Sequence, residues 1–237
     1  FRSDSSYSDG RRPDHVGPAT LEEDARRRDF SMNAMYFDPE DGTIIDTVGG
    51  RNAIAGKLVA TVGDPRERLT EDRLRMLRAV RFAARFDYMI EPETFGAIVE
   101  HTGLVASVSA ERIGAELMKM FTGPHPDRAL TLLDETGLLS VVLPEIAAMK
   151  GVRQPPQFHP EGDVFEHTRR MLELFGGGGD ALAFGILFHD AGKPAAFTET
   201  DRIRFNRHDE IGTEIAVAAL ERLRFGRALT ERVRFIV

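Results

Sequence analysis

From Thr70 onward the apolar residues recur at helical spacing and largely keep to it, and this change of rhythm restricts the chain more than any other feature. Helices are predicted at Glu71–Phe86, Glu91–Thr102, Ala110–Phe121, Pro126–Thr136, Val164–Phe175, Ala181–Phe188 and Glu210–Leu223. Turn signals separate them at Gly123-Pro124, Gly137, Gln154-Pro155-Pro156 and the run from Gly176 to Gly179, which reads as a flexible connection. Ahead of Thr70 the pattern is different. Phe1 to Asp14 is polar and reads as a loop, Glu22 to Asp29 as a short helix leading into a strand through Phe37. Asp38 to Gly42 then makes a tight turn into a β-branched strand over Thr43 to Val48. The expected fold class is α+β, predominantly α-helical, in three stretches: 1–65, 66–150 and 151–237.

Composition sets the outer limits. With 42% hydrophobic and 29% charged residues over 237 positions, the chain can bury a core and sits outside the disordered range. No apolar run reaches the ~20 residues that cross a bilayer, and the polar start lacks the layout of a signal peptide, so the expected location is cytoplasmic with no membrane partner. There is no Cys, which leaves His and carboxylates as metal ligands. A net charge of -7 argues against non-specific coating of nucleic acid. Only Lys57, Lys119, Lys150 and Lys193 are lysines, so the basic content is almost wholly Arg. Arg suits bidentate phosphate and base contacts, and a GC-rich coding sequence would produce the same bias.

The densest arginine segment is Glu71 to Arg85. At about 100° per residue, Leu74, Leu77, Val80 and Ala84 share one side, while Glu71, Asp72, Arg75, Arg78, Arg81 and Arg85 share the other. The arginines repel one another unless an anion compensates them, and the two acidic residues supply only part of that charge. A polyphosphate ligand would satisfy the rest. A solvated face of Arg and Glu fits the same spacing.

The segment Glu71-Asp72-x-x-Arg75 with Arg78 and Arg81 resembles the nucleobase-recognition motif of class II tRNA nucleotidyltransferases and bacterial poly(A) polymerases. Further segments resemble the same family in its own order. Arg27-Arg28-Asp29-Phe30-Ser31-Met32-Asn33-Ala34-Met35 is similar to its ribose motif, and Asp46-x-x-Gly49-Gly50 to its head-domain hinge. Ser109-Ala110-Glu111-Arg112-Ile113 is similar to its neck helix, with Ser109 as N-cap and Glu111 and Arg112 bracing the nucleotide helix. Phe1 to Asp14 resembles its mobile loop. The resemblance implies a polymerase-β-like head remnant, a helical neck and a helical C-terminal domain. It also implies that Arg28 contacts the nucleotide, Asp29 the ribose hydroxyls, and Asp72 with Arg75 the edge of the incoming C or A. Arg78 and Arg81 would meet the triphosphate or hold the template pair.

The partners implied are CTP, ATP and a tRNA or other RNA 3′ end. The reaction implied is Mg²⁺-dependent, template-independent addition of CCA. Family members carry the Mg²⁺ on an Asp-x-Asp pair, and the sequence contains none, so these carboxylates are expected ahead of Phe1 in a truncated or partly ordered chain.

A second constellation follows: His159-Pro-Glu-Gly-Asp-Val-Phe-Glu-His167, His189-Asp190-Ala-Gly-Lys193 and His208-Asp209. Adjacent His and Asp with distant His resemble the HD superfamily, which implies a second divalent metal on His167, His189, Asp190 and His208. Neutral imidazoles with a carboxylate suit Mn, Fe, Ni or Zn, and a bound water could attack a phosphoester. Two other functions are open on the same residues. One is poly(A) synthesis, and the other is an HD-type phosphohydrolase whose N-terminal half senses nucleotides.

Overall fold

The computed structural model describes residues 1–5, 15–155, 157 and 159–237. Two compact units emerge, Phe1–Ser107 and Val108–Val237. The first unit mixes short strands with helices. Strand β1 (Arg2–Ser5) pairs antiparallel with β2 (His15–Pro18), so the first described residues of the predicted opening loop form a strand. Tyr7, Asp9, Gly10, Arg11, Pro13 and Asp14 of the loop motif lie outside the described residues. Helix α1 (Leu21–Arg26) starts from a capping box in which Thr20 and Glu23 satisfy each other's backbone N–H groups. A 3-10 turn at Ser31–Asn33 leads into β3 (Tyr36–Phe37), which pairs antiparallel with β4 (Ile44–Ile45) as the expected hairpin.

Asp46 accepts the N–H groups of Val48, Gly50 and Arg51 at 2.8–3.2 Å and so caps α2 (Gly50–Ala55). Both glycines at this cap are required by geometry. Gly49 has φ 78°, and a Cβ on Gly50 would lie 2.4 Å from the Ser31 carbonyl oxygen. Strand β5 (Leu58–Val59) then runs parallel to β6 (Met89–Ile90), and between them lie α3 (Pro65–Glu71) and α4 (Arg75–Phe86). The predicted single helix 71–86 is therefore broken. Asp72 adopts extended backbone (φ -132°, ψ 100°) and its Oδ1 accepts the Leu74 N–H, which opens a turn before α4 starts. Helix α5 (Pro92–His101) and a 3-10 segment at Thr102–Ser107 close the unit.

The second unit is a helical bundle: α6 (Ala110–Phe121), α7 (Pro126–Glu135), α8 (Leu138–Val142), α9 (Pro144–Ala147), α10 (Val164–Phe175), α11 (Asp180–Phe188), α12 (Lys193–Ala196), α13 (His208–Arg222) and α14 (Arg227–Ile236). Ser109 occupies the N-cap position of α6, but its side chain makes no capping bond. Helix α11 is apolar on every side, as expected of a central helix, and buries Phe184, Leu187 and Phe188. One hairpin interrupts the helices: β7 (Phe197–Glu199) with β8 (Ile203–Phe205). Short strands of three residues gave no alternating pattern long enough to read from sequence.

The Gly176–Gly179 run is a packed turn rather than a flexible connection. Gly176 ends α10 at φ 63°, the Gly178 N–H donates to the Thr122 carbonyl at 3.2 Å, and a Cβ on Gly177 would lie 2.0 Å from the Gly123 oxygen. Among the described residues, no helix is long and apolar enough to cross a membrane.

Candidate functional site

In the first unit the two arginine-bearing stretches meet. Asp24, at 3% exposed, is the hub of the first stretch. It accepts from Arg27 Nε at 2.8 Å, from Arg28 Nη2 at 3.1 Å and from the Tyr36 hydroxyl at 2.6 Å. A buried carboxylate is stable only with such partners, and here they fix the orientation of both arginines. Arg28 also donates to the Asn33 carbonyl at 2.9 Å and lies 5.0 Å from the Tyr36 ring centre. The role of Asp24 was not read from the sequence. Its signal was a carboxylate three and four residues ahead of two arginines.

Asp29 joins this stretch to α4. Its Oδ1 accepts the Phe30 N–H at 2.9 Å and Asn33 Nδ2 at 3.2 Å, and its Oδ2 accepts Arg78 Nε at 2.8 Å. Phe30, fully buried, packs edge-on against Phe82 of α4 at 5.7 Å.

Arg75 makes the second link. Its Nη1 donates to Glu71 and to the Arg68 carbonyl, both at 2.8 Å, and its Nη2 to the Arg27 carbonyl at 3.2 Å. Burial alone would raise the Glu71 carboxyl, but the hydrogen bonds from Arg75 and Arg68 outweigh it and hold that group below its ordinary value.

The structure corrects the predicted two-faced helix. Arg75 is 6% and Arg81 8% exposed, so two of the four arginines sit within the unit rather than on an open face. Arg81 lies over the Phe82 ring at 4.0 Å. Internal acceptors, rather than a polyphosphate alone, compensate the arginine charge. Arg28, Asp29, Asp72, Arg75, Arg78 and Arg81 nevertheless belong to one unit, with Asp72 at the break between α3 and α4.

In the second unit, three helix ends converge on Asp190. His167 sits in the first turn of α10, His189 and Asp190 follow α11, and His208 opens α13. The Nε2 atoms of His189, His167 and His208 lie 3.3, 3.9 and 3.9 Å from the Asp190 carboxylate oxygens. The four predicted ligands thus come together. Lys193, which ends the His-Asp-x-Gly-Lys motif and was given no role there, has its Nζ 2.7 Å from Asp190 Oδ2 and 2.6 Å from Gln154 Oε1. Burial would raise the Asp190 carboxyl, but His189 and Lys193 beside it hold it far below the usual carboxylate range.

His189 Nδ1 faces the Ile186 carbonyl at 2.6 Å, so the ring proton belongs there, and Nε2 is buried with no hydrogen-bond partner. A neutral ring turns an Nε2 lone pair toward the Asp190 carboxylate at 3.3 Å, where a cation between them would relieve the repulsion, whereas an imidazolium places a second N–H there. The donor set of His167, His189 and Asp190, whose ligand atoms lie within 4.8 Å of one another, fits a divalent ion.

Gly192 permits this convergence. A Cβ there would lie 2.0 Å from the His208 carbonyl oxygen and 2.5 Å from the Gly212 nitrogen, both backbone atoms of α13. Gly192→Ala is expected to destabilise the protein by more than about 2 kcal/mol in denaturant unfolding, because α13 must move away. A variant as stable as the parent would show that α13 yields without cost.

Residues 1–60 match the poly A polymerase head domain, and residues 87–150 match the probable RNA and SrmB-binding site of polymerase A, together more than half of the chain. The chain belongs to the tRNA nucleotidyltransferase and poly(A) polymerase family. Similar relatives of this family member include the CCA-adding enzymes of Geobacillus sp. (strain WCH70) and Geobacillus stearothermophilus. The first is 48% identical over 139 residues, covering 58% of this chain and 34% of the relative. The second is 48% identical over 148 residues, covering 62% and 36%.

Among solved structures, the Bacillus stearothermophilus CCA-adding enzyme in complex with CTP aligns with TM-score 0.60 at 29% identity, over 100% of this chain and 58% of that one. A tRNA-processing enzyme in an apo form aligns with TM-score 0.62 at 23% identity, over 92% and 54%, which supports the fold alone. The chain spans about a third of the length of the curated relatives it matches.

Proposed function

We propose that this chain forms the nucleotide-selecting part of an enzyme that adds C and A to tRNA 3′ ends from CTP and ATP without a nucleic-acid template. The observation that carries this reading is the double link within the first unit. Arg78 holds Asp29, and Arg75 holds the Arg27 carbonyl, so the stretch proposed for the ribose and the helix proposed for the base are braced as one body. The likeness to a CCA-adding enzyme with bound CTP supports it. On this reading Arg28 contacts the nucleotide and Asp29 the ribose hydroxyls, and of the base-sorting pair Asp72 offers the acceptor while the buried Arg75 sets the site from within. Arg78 and Arg81 support that pair. Stretches 1–65, 66–150 and 151–237 serve as head, neck and HD-like segment.

Mg²⁺ would neutralise the triphosphate and activate the attacking 3′-hydroxyl. The sequence offers no Asp-x-Asp pair to hold it. A cytoplasmic location accords with tRNA as substrate. In the second unit, His167, His189, Asp190 and His208 would hold a divalent ion, which when bound supplies a water acidic enough to attack a phosphoester.

The test uses the full-length protein, Mg²⁺, tRNA lacking its terminal CCA, and each NTP in turn. Incorporation of C and then A is expected. Long tracts of A alone would replace this reading with poly(A) synthesis. No incorporation, with phosphatase activity lost in His189→Ala, would leave the phosphohydrolase reading. Asp72→Ala is expected to weaken discrimination between bases by roughly 10- to 100-fold, the worth of one charge-assisted hydrogen bond, while triphosphate affinity changes little. An equal loss for all four NTPs would remove the template role.

A further inference from the structure

The histidines around Asp190 share one arrangement: each gives Nδ1 to a fixed acceptor and turns Nε2 inward. Nδ1 of His189 lies 2.6 Å from the Ile186 carbonyl, and Nδ1 of His208 lies 2.8 Å from the Phe205 carbonyl. A carbonyl can only accept, so both rings carry a proton on Nδ1, and in their neutral form, the one that binds a metal, they leave a lone pair on Nε2. His167 has no carbonyl in that position. Its Nδ1 instead meets Oε1 of Glu161 at 2.5 Å, while its Nε2 lies 3.9 Å from Asp190.

The same Glu161 oxygen lies 3.2 Å from Nδ1 of His159, whose ring packs edge-on against that of His167 at 4.8 Å. The segment carrying Glu161 is anchored where α10 begins. Asp163 accepts the Glu166 N–H at 2.8 Å and the Gly151 N–H at 2.6 Å.

We infer that Glu161 is a positioning residue: it holds His167 in the Nδ1–H form and at the angle that aims Nε2 at Asp190, so that the centre accepts one divalent cation. This rests on the metal reading of the centre given above. His159, Glu161 and His167 also form a three-ligand group within 4.8 Å, which could be taken for a second cation site. Chemistry decides against it. A neutral imidazole has one lone pair, so an ion on Nδ1 of His167 competes with an ion on Nε2 of the same ring. Glu161 as acceptor leaves the inward lone pair intact. Carboxylates that orient a metal-binding histidine in this way commonly contribute 10- to 100-fold in affinity.

The test titrates the full chain with Mn²⁺ by calorimetry and records ¹⁵N shifts of its labelled histidines without metal. One Mn²⁺ per chain is expected. Glu161→Ala is expected to raise Kd roughly 10- to 100-fold and to populate the Nε2–H form of His167 in the metal-free chain. Glu161→Gln, whose amide oxygen still accepts, is expected to recover most of both. Unchanged Kd with an unchanged His167 tautomer would overturn the role. So would two ions per chain, the second lost in His159→Ala. If the parent chain binds no Mn²⁺, the metal reading falls, and the tautomer shift still decides on Glu161.

Discussion

Replacing Asp190 by alanine is expected to cost about 3–5 kcal/mol of stability and to abolish divalent-ion binding in the second unit. The stability loss comes from Lys193, whose side chain is 8% exposed and would keep, for a buried charge, the Gln154 amide oxygen and the face of the Phe205 ring at 5.2 Å but no carboxylate among the described residues. The loss of ion binding comes from the carboxylate toward which three Nε2 atoms point. A double variant separates the two. Asp190→Ala with Lys193→Met removes the stranded charge and is expected to regain most of the stability in urea unfolding while still binding no Mn²⁺. If the single variant unfolds like the parent, Lys193 has another way to shed its charge and the pair is not a structural anchor. If it still binds Mn²⁺ at parental affinity, Asp190 is not a ligand.

The second large effect is expected at Arg75. Its guanidinium supplies hydrogen bonds to Glu71, to the Arg68 carbonyl and to the Arg27 carbonyl, and it is almost fully buried. Arg75→Ala is expected to destabilise the protein by about 2–4 kcal/mol and to lower incorporation of every nucleotide, because the brace between residues 27–29 and α4 goes with it. Arg75→Lys should recover little, since one ammonium cannot span the acceptors that the planar fork reaches. Unfolding curves and single-nucleotide incorporation on the full-length protein check both. A variant of parental stability whose only defect is relaxed base choice would show that the guanidinium turns outward to read the base. The predicted contrast with Asp72→Ala is therefore sharp: Asp72 affects choice, and Arg75 affects choice through the fold.

Much of the helical architecture was legible because its signals are local. Helices Ala110–Phe121 and Val164–Phe175 were placed at their observed bounds, and each carries a strong apolar stripe. The break at Asp72 was not legible, because periodicity continues through a turn whose cause is one carboxylate accepting a nearby N–H. Helices α2, α3, α8, α9, α12 and α14 were likewise missed. Most are shorter than two or three turns, too short for an apolar period to register.

The sequence by itself determined which residue types are present and in what order: the Arg-Arg-Asp stretch, the arginine helix, the His-Asp pair and its flanking histidines. It could also say that His and carboxylates are the only ligands the chain can offer. Only the tertiary structure decided what each charge faces. Arg75 and Arg81 share a sequence pattern with a solvated helix face, yet both are buried, Arg75 because Glu71 and the Arg68 and Arg27 carbonyls outside α4 surround its guanidinium. Lys193, Gly192 and Glu161 stand inside the histidine motifs, but the motifs assign them no partner. Their weight comes from what folding brings within a few ångströms: over long range, Gln154 at Lys193 and the backbone of α13 at Gly192, and more locally the His167 ring at Glu161. Spacing reports neighbours along one element, whereas desolvation and hydrogen bonding act between elements.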